Sequence, residues 1–447
     1  MLFLLELGQR REERKRKMPQ VHPAVRRIHR KLHELQEIVD KKASQMDRSN
    51  YKKYVGLFDD VVAFLKQKKV LLYGGAAINE LLPKSLKIYK DETLPDIDIF
   101  CVEGKKVAES VVKHFKKKGY TFTSASEALY PGTFKVYAEG MQVLDVTSLS
   151  KNAFKRLSNG GHVLGNGLKT VDPEFLRMTL HIMLSQPRDS HRWSKVLTRT
   201  VAFYEAFPLT TGCKKSLAKS QLTQAQMSKI IPEGFRGNVT EWIQSKGHIM
   251  FGSDVVERML GVDGVGSGVI YKGIAPMAVL CTKSTDVAAK DLIRHLTQLA
   301  SALQTNQMTS NPLYKLVTTD ADDFVSMRTT LVVGEQPLVS FYEAPACVSY
   351  IEIEGGLKVA SIHTTLRMMM SHMFSDQPDL IVAGVTQQCL INLLCVLMLE
   401  TMTGSKKKVL QQFVLQCFGE QPGIATMRRN RMKRRLPRYI HLTDPTD

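Results

Sequence analysis

The chemistry in this chain is most legible at two aspartates separated by one residue, Asp96 and Asp98 in the run PDIDIF. On a strand, residues i and i+2 face the same side with Cα atoms about 6.6 Å apart, so both carboxylates project together and Ile97 points into the core. Two like charges side by side on an apolar strand cost stability unless a cation neutralises them. Magnesium suits that task, because it takes oxygen ligands and bridges carboxylates to substrate phosphates. Asp145, in MQVLDV, is a further lone carboxylate in an apolar run. If its strand lies beside that of Asp96 and Asp98, the three would hold two ions about 3.5–4 Å apart, the arrangement for in-line displacement at a phosphate. Gly74-Gly75 completes the set: backbone without side chains can approach a triphosphate closely, and the helix that follows offers free N–H groups and a positive dipole end. Each part alone is weak; the order strand, GG, helix, DxD strand, later strand with Asp points to a nucleotidyltransferase.

The elements that must position these residues follow from the hydrophobic pattern. Ile28, Leu32, Leu35 and Ile38 recur at helical spacing, as do Val55, Phe58, Val62 and Leu65. VLLY (70–73) reads as a buried strand that ends in the glycine pair and passes into the helix AAINELL, closed near Pro83. PDIDIF (95–100) is a second strand, and KKVAESVVKHFKKKG a helix stopped by Gly119. TFKVYAE and MQVLDV form a hairpin about Gly140. Asp172-Pro173 starts a helix through FLRMTLHIML, and RWSKVLTRTVAFYEAF makes another that stops at Pro208.

The second half echoes the first. HIMFGSDVVERML (248–260) resembles VLLYGGAAINELL, and APMAVLCTKSTDVAAKDLIRHL (275–296) resembles PDIDIFCVEGKKVAESVVKHF, with Cys281 at the place of Cys101. GLKVASIHTTLRMM (356–369) is read as the echo of MQVLDVTSLSKNAF. Three echoes in one order suggest a duplicated α/β unit. The second copy lacks the carboxylates: Pro276 and Ala278 stand for Asp96 and Asp98, and the Asp145 position falls near Ser361.

The chain has 447 residues, 62 lysines and arginines against 43 acids, and a formal charge of +19. That length allows two or three domains. The charge implies a polyanionic partner such as nucleic acid, nucleotide or an anionic membrane surface, the bland alternative being a well-solubilised surface. No apolar run is long enough to span a bilayer, and the opening MLFLL followed by REERKRK is not a secretory signal. Met18 offers an alternative start. The seven cysteines are scattered and form no CxxC pair, which suits a reduced, cytosol-like compartment and argues against a disulfide scaffold or structural zinc.

Other candidate motifs fail. GHVLGNGLKT has Val163 and Leu168 where a phosphate loop needs glycine. GVDGVGSG (261–268) lacks dinucleotide-fingerprint spacing and reads as a loop. His29 and His33 lie one helical turn apart with no third ligand, and belong to a solvated basic face. The cluster Arg428, Arg429, Arg431, Lys433, Arg434 and Arg435 is either a solvated tail or localisation signal, or a contact for RNA phosphates.

At KKVLLYGGAAINELLP, LPDIDIFCVEG, YPGTFKVYAEGMQVLDVTSL, DPEFLRMTLHIMLSQP with DSHRWSKVL, and YEAPACVSYIEIEGGLKVASIHTTL, the sequence resembles the poly(A) polymerase catalytic subunits of nucleocytoplasmic large DNA viruses, the giant-virus, African-swine-fever-like and poxvirus group. The resemblance runs over about residues 60–370 and is strongest in the first half. It implies a mixed α/β fold, with a polymerase-β-like nucleotidyltransferase domain followed by a degenerate domain of similar fold. It also implies template-independent addition of AMP from ATP to an RNA 3′ end, with magnesium or manganese. Carried over by position, Gly74 and Gly75 are the nucleotide-binding pair, and Asp96, Asp98 and Asp145 the metal ligands. Lys135 in GTFKVY and Arg177 in PEFLRM are candidate triphosphate or RNA contacts, or else structural ion-pair partners. The middle residue of DxD, often aromatic in relatives, is Ile97 here and faces away from the metals.

The resulting reading is a viral mRNA poly(A) polymerase, in which the RNA 3′-hydroxyl attacks the α-phosphate of ATP and pyrophosphate leaves. The expected organisation is a basic N-terminal extension (1–50), a catalytic domain (51–210), a linker (211–232), a degenerate nucleotidyltransferase-like domain (233–425) and a basic C-terminal tail (426–447). Expected partners are ATP, an RNA 3′ end, and a second copy or a processivity subunit, with no membrane. The expected location is the host cytoplasm, in the viral factory, and the virion. The rivals are another RNA or tRNA nucleotidyltransferase of the same fold and a non-catalytic RNA-binding scaffold; three retained carboxylates argue against the last.

Overall fold

The computed structural model describes residues 31–89, 92–94, 96–209, 234–260, 276–281, 284–302, 314–344, 347–377, 387–404, 406–419 and 423–439. The chain divides into two units, Met1–Asp59 with Lys90–Leu94, and Asp60–Tyr89 with Pro95–Asp447. In the first, helix α1 (Leu32–Leu65), as far as Asp59, is the main element, and Arg48 Nε lies 3.1 Å from Glu92 Oε2. His29 and the runs 211–232 and 261–268 lie outside the described residues, as does the side chain of His33.

Both sheets belong to the second unit. The first is five-stranded, in the order β1 (Leu71–Tyr73), β2 (Asp98–Cys101), β5 (Met141–Ser148), β4 (Thr133–Ala138), β3 (Ser124–Glu127). β2 and β5 run parallel, and the other pairs are antiparallel. Every apolar side chain of β1 up to Leu72 is buried, which is why VLL forms a core strand. Helix α2 (Gly74–Leu81) follows at once, and α3 (Gly104–Lys117) packs on β2, β4 and β5 through Ala108, Val111 and Phe115. The β4–β5 turn is Glu139-Gly140, both left-handed (φ 50° and 77°), as a two-residue hairpin turn of matching twist requires. β3 had no signal in the sequence: SASE is a polar edge strand without an apolar face.

Beyond β5 come α4 (Lys151–Asn159), α5 (Pro173–Leu184), α6 (Trp193–Ala206) and α7 (Phe235–Ser245). The second sheet has eight strands. Its core is β6 (Ile249–Phe251), β7 (Met277–Cys281), β10 (Gln336–Glu343), β9 (Arg328–Val333) and β8 (Tyr314–Thr319), in that spatial order. β6–β7 is antiparallel, β7–β10 parallel, and β10–β9 and β9–β8 antiparallel, which repeats the order and polarity of the first sheet strand for strand. Helices α8 (Ser253–Leu260) and α9 (Thr285–Ala302) follow β6 and β7, as α2 and α3 follow β1 and β2.

Strand pairing corrects the third sequence echo. The partner of Ala278 across the parallel pair is Ser340, as the partner of Asp98 is Asp145, so β10 and not the run 356–369 is the counterpart of β5. The run 356–369 holds β12 (Lys358–Ala360), parallel to β6 on its far side, and opens α10 (Ile362–Phe374). In the first half, Thr170 pairs parallel to Leu72 and Asp172 opens α5. GLKVAS therefore matches GLKTVD, and both helices are capped by the last residue of that match: Asp172 Oδ1 accepts from Glu174 N (2.7 Å) and Ser361 Oγ from Thr364 N (3.2 Å). The stretch GHVLGNGLKT thus ends as a sheet edge. β11 (Val348–Glu352) and β13 (Cys417–Phe418) complete the second sheet, where Cys347 and Cys417 are joined as a disulfide with Cα atoms 5.3 Å apart. Their scattered spacing in the sequence gave no sign of that pairing.

The two halves meet where α5 packs on α10. A fully buried polar chain runs through this contact: His181 Nδ1 lies 3.2 Å from His363 Nδ1, His181 Nε2 lies 2.8 Å from the Tyr204 hydroxyl, and that hydroxyl donates to Cys395 Sγ (3.0 Å). Helix α11 (Gln387–Thr401) carries Cys395, and α12 (Ile424–Tyr439) contains the basic run 428–438.

Candidate active site

Asp98 opens β2 directly beside Asp145 of β5, and the strands are tied there by Asp145 N donating to Ile97 O at 2.9 Å. Parallel neighbours are about 4.8 Å apart, so the two carboxylates share one patch at the end of the sheet. Asp96 stands just before the strand, which is shorter than the sequence pattern suggests; it is exposed while Ile97 is buried. Burial, then the neighbouring Asp145 and Asp96, push the Asp98 carboxyl up to about 7, against the pull of Lys135 and Arg199. A carboxylate so placed is one that a cation would relieve, and the oxygen donor set fits a hard divalent ion. Among the described residues, no three His, Cys, Asp or Glu side chains are gathered closely enough to hold an ion as they stand. Asp98 and Asp145 are the residues that would hold one, with Asp96 as the further candidate. Nucleotidyltransferases of this type generally use divalent metals.

Lys135 on β4 faces Asp145 across the hairpin, with Nζ 3.1 Å from Oδ2 and 2.8 Å from Gln142 Oε1. Gln142 Nε2 in turn donates to Asp145 Oδ1 at 3.0 Å. Asp145 is thus oriented by two side chains, of which Gln142 was not anticipated. Arg177 is elsewhere. It is 1% exposed, paired with Glu174 (3.2 Å), donates to Phe207 O (2.9 Å) and lies over the Tyr204 ring. Of its two readings the structure supports the structural ion pair.

Gly74 is left-handed (φ 70°), and a Cβ there would run into the Asp98 carboxylate. The strand can therefore turn into α2 against the acid only with glycine. No side chain caps the N-terminus of α2, and its first turn carries no acid, which leaves its N–H groups free beside Asp98. Tyr73 underlies this turn. Its ring stacks on Phe100 (3.7 Å), its hydroxyl bonds Thr147 (3.1 Å), and burial beside Asp98 holds it well above the usual phenol range. The chain therefore brings Gly74, Gly75, Asp98, Asp145 and Lys135 to one end of the first sheet. The basic run lies in α12, where Arg428 and Arg429 are exposed.

In the second half the same register holds Ala278 for Asp98, Ser340 for Asp145 and Thr330 for Lys135, with Thr330 and Ser340 hydroxyls 3.0 Å apart. Gly252 keeps the left-handed turn (φ 78°) of Gly74, now against Ala278.

A strand that turns through glycine into an uncapped helix, beside two paired strands offering aspartates, defines a nucleotidyltransferase fold. Residues 59–190 match the family model described as "Poly(A) polymerase catalytic subunit", and the resemblance read from the sequence is borne out. A protein of African swine fever virus (strain Badajoz 1971 Vero-adapted), named as a candidate poly(A) polymerase catalytic subunit, is 25% identical over 180 residues, 38% of this chain and 37% of its own. Its counterpart from the isolate Pig/Kenya/KEN-50/1950 is 24% identical over 200 residues, 43% of this chain and 42% of its own. The chain thus matches about two-fifths of the length of these relatives. The crystal structure of the Megavirus polyadenylate synthase superposes with a TM-score of 0.71 at 18% identity, over 94% of this chain and 84% of that one. That likeness covers both halves and bears out the mixed α/β fold class.

Arg199 and Tyr89 are further residues at this site that the sequence reading missed. The signal was present: Arg199 falls on the buried stripe of α6 between Val196 and Phe203, where a charge is out of place.

Proposed function

We propose that this chain is the catalytic subunit of a viral poly(A) polymerase, adding AMP from ATP to the 3′-hydroxyl of mRNA with release of pyrophosphate. The observation that carries the reading is the Asp98–Asp145 register beside the uncapped turn at Gly74. In the proposed reaction the first-turn N–H groups of α2 hold the phosphates, and the absence of a side chain at Gly74 lets them lie against Asp98. Asp98 and Asp145, with Asp96, would hold two divalent ions, magnesium or manganese. Bound there, such ions would supply charge to activate the attacking hydroxyl and to neutralise the departing pyrophosphate. Lys135 and Gln142 keep the Asp145 carboxylate aimed at the patch while it is charged. The basic residues Arg428, Arg429, Arg431, Lys433, Arg434 and Arg435 are assigned to RNA backbone, and a second copy or a processivity subunit remains part of the proposal, as does action in the host cytoplasm.

The test is a gel assay of labelled RNA with each NTP in turn and magnesium. Extension with ATP alone supports the reading. Extension with all four nucleotides, or with CTP, would point to another nucleotidyltransferase, and retention of RNA without extension to a binding scaffold.

A further inference from the structure

Arg199 reaches from α6 to the opening turn of α2. It is 9% exposed, and a Cβ built on Gly75 would lie 2.8 Å from its Nη2. Among the described residues, no carboxylate lies within ion-pair distance of it, and its guanidinium bonds only the Tyr89 hydroxyl, at 3.1 Å. Arg177 on the neighbouring helix, by contrast, is paired with Glu174. A buried guanidinium beside free helix N–H groups is a seat for an anion with several oxygens.

Tyr89 is held in place from below. Asn79, in the second turn of α2, accepts from the backbone N–H of Ile88 (3.0 Å) and of Tyr89 (3.1 Å) through Oδ1. That clamp brings the Tyr89 hydroxyl against Gly75, in the angle between Arg199 and the helix. Both side chains also feel Asp98 electrostatically, so the seat adjoins the carboxylate patch.

The second half shows what the fold does when the seat is not needed. There Asp254 lies in the first turn of α8 and pairs with Arg236. The repeat that has lost its carboxylates supplies its own anion at the helix start; the repeat that keeps them has neither cap nor acid there.

We propose that Arg199 anchors the β- and γ-phosphates of the nucleotide, and that the Tyr89 hydroxyl holds the guanidinium in place while the site is empty. This rests on the nucleotidyltransferase reading above. It explains the one-residue spacing of the glycines' tasks: Gly74 makes room for Asp98, and Gly75 makes room for Arg199 and Tyr89.

The experiment measures RNA extension by full-length wild type, Arg199→Gln, Arg199→Lys and Tyr89→Phe, with circular dichroism to confirm folding. It adds equilibrium binding of ATP, AMP and pyrophosphate with magnesium. Arg199→Gln should raise KM for ATP by about ten- to a hundred-fold and weaken pyrophosphate binding to match, as expected for a lost charge-assisted bond. AMP binding should hardly change, and Arg199→Lys should recover part of the loss. Tyr89→Phe, which removes the hydroxyl that holds the guanidinium in place, should raise KM for ATP by about two- to five-fold, less than Arg199→Gln does. An Arg199→Gln protein that is folded and binds ATP and pyrophosphate like wild type would overturn the assignment, as would equal weakening of AMP. An unchanged KM for ATP in a folded Tyr89→Phe protein would overturn the holding role of Tyr89. Wild type that extends no RNA with any nucleotide but still binds pyrophosphate through Arg199 would sink the polymerase reading and leave the anion seat standing.

Discussion

Burying the Asp98 carboxyl beside two other acids has a consequence for stability of definite sign. That carboxyl titrates near 7 in the folded chain, against 3.8 for a free side chain. Between those values the folded state binds more protons than the unfolded one, so stability falls as pH rises through that window. Asp98→Asn should therefore raise the melting temperature of the metal-free protein at pH 8 and have little effect near pH 4. The gain at pH 8 is at most about 4 kcal/mol, reduced by solvent screening of a partly exposed group. The same variant should lose RNA extension and lose stabilisation by magnesium. Melting curves at both pH values with and without magnesium decide it, and equal shifts at pH 4 and pH 8 would rule out the coupling. His181 and His363 have the opposite sign. Burial holds both below the usual imidazole range, His363 at about 4. Stability present above about pH 6.5 is lost as pH falls toward 4, by about 3 kcal/mol for a shift the size of His363's. Urea midpoints should drop across that range in wild type, and drop less in His363→Gln.

At the scale of elements, the two five-strand arrays share order, polarity and register, and differ in what the register presents. Asp98, Asp145 and Lys135 in one become Ala278, Ser340 and Thr330 in the other. The tight turn survives as Gly252 because the strand-to-helix geometry needs it, whatever the chemistry. One metal–nucleotide site per chain follows. Equilibrium dialysis with ATP and magnesium should give a stoichiometry near one, abolished by Gly74→Val and retained in Gly252→Val if that variant folds. Two sites of equal affinity would refute the inactive second array. The hairpin β4–β5 has a separate job, since it sets Lys135 and Gln142 on either side of Asp145. Shortening that turn would move both together.

For the whole molecule, the charge of +19 bears on how it would meet the RNA of the proposed reaction. The basic run 428–438 lies in α12 with no regular interleaving of aromatic residues, so its contacts should be with backbone and blind to sequence. Each counterion released from a single strand adds roughly −0.7 to the slope of log K against log salt. Removing residues 428–438 should weaken RNA binding alike for all sequences and flatten that slope by several units, while preference for ATP persists. Fluorescence anisotropy over a salt series measures both. An unchanged slope would place the RNA path elsewhere.

What the sequence determined on its own is what short-range backbone physics decides. The parity of Asp96, Ile97 and Asp98, the glycine-opened helix at Gly74, the hairpin about Gly140 and the cap at Asp172 each depend on neighbours within a few residues. Pairing between strands distant in the chain was beyond it. A short apolar run fits several places in a sheet, so the counterpart of β5 was sought at 356–369 and Ser361, and only hydrogen bonding across β7 and β10 put Ser340 there. Arg177 and Arg199 show the same divide. Both are single arginines on largely apolar helices, with equal claims on a phosphate by sequence. Which one faces Gly75 and which one faces Glu174 is set by how α5 and α6 pack, and packing of helices onto a sheet is a property of the folded chain alone.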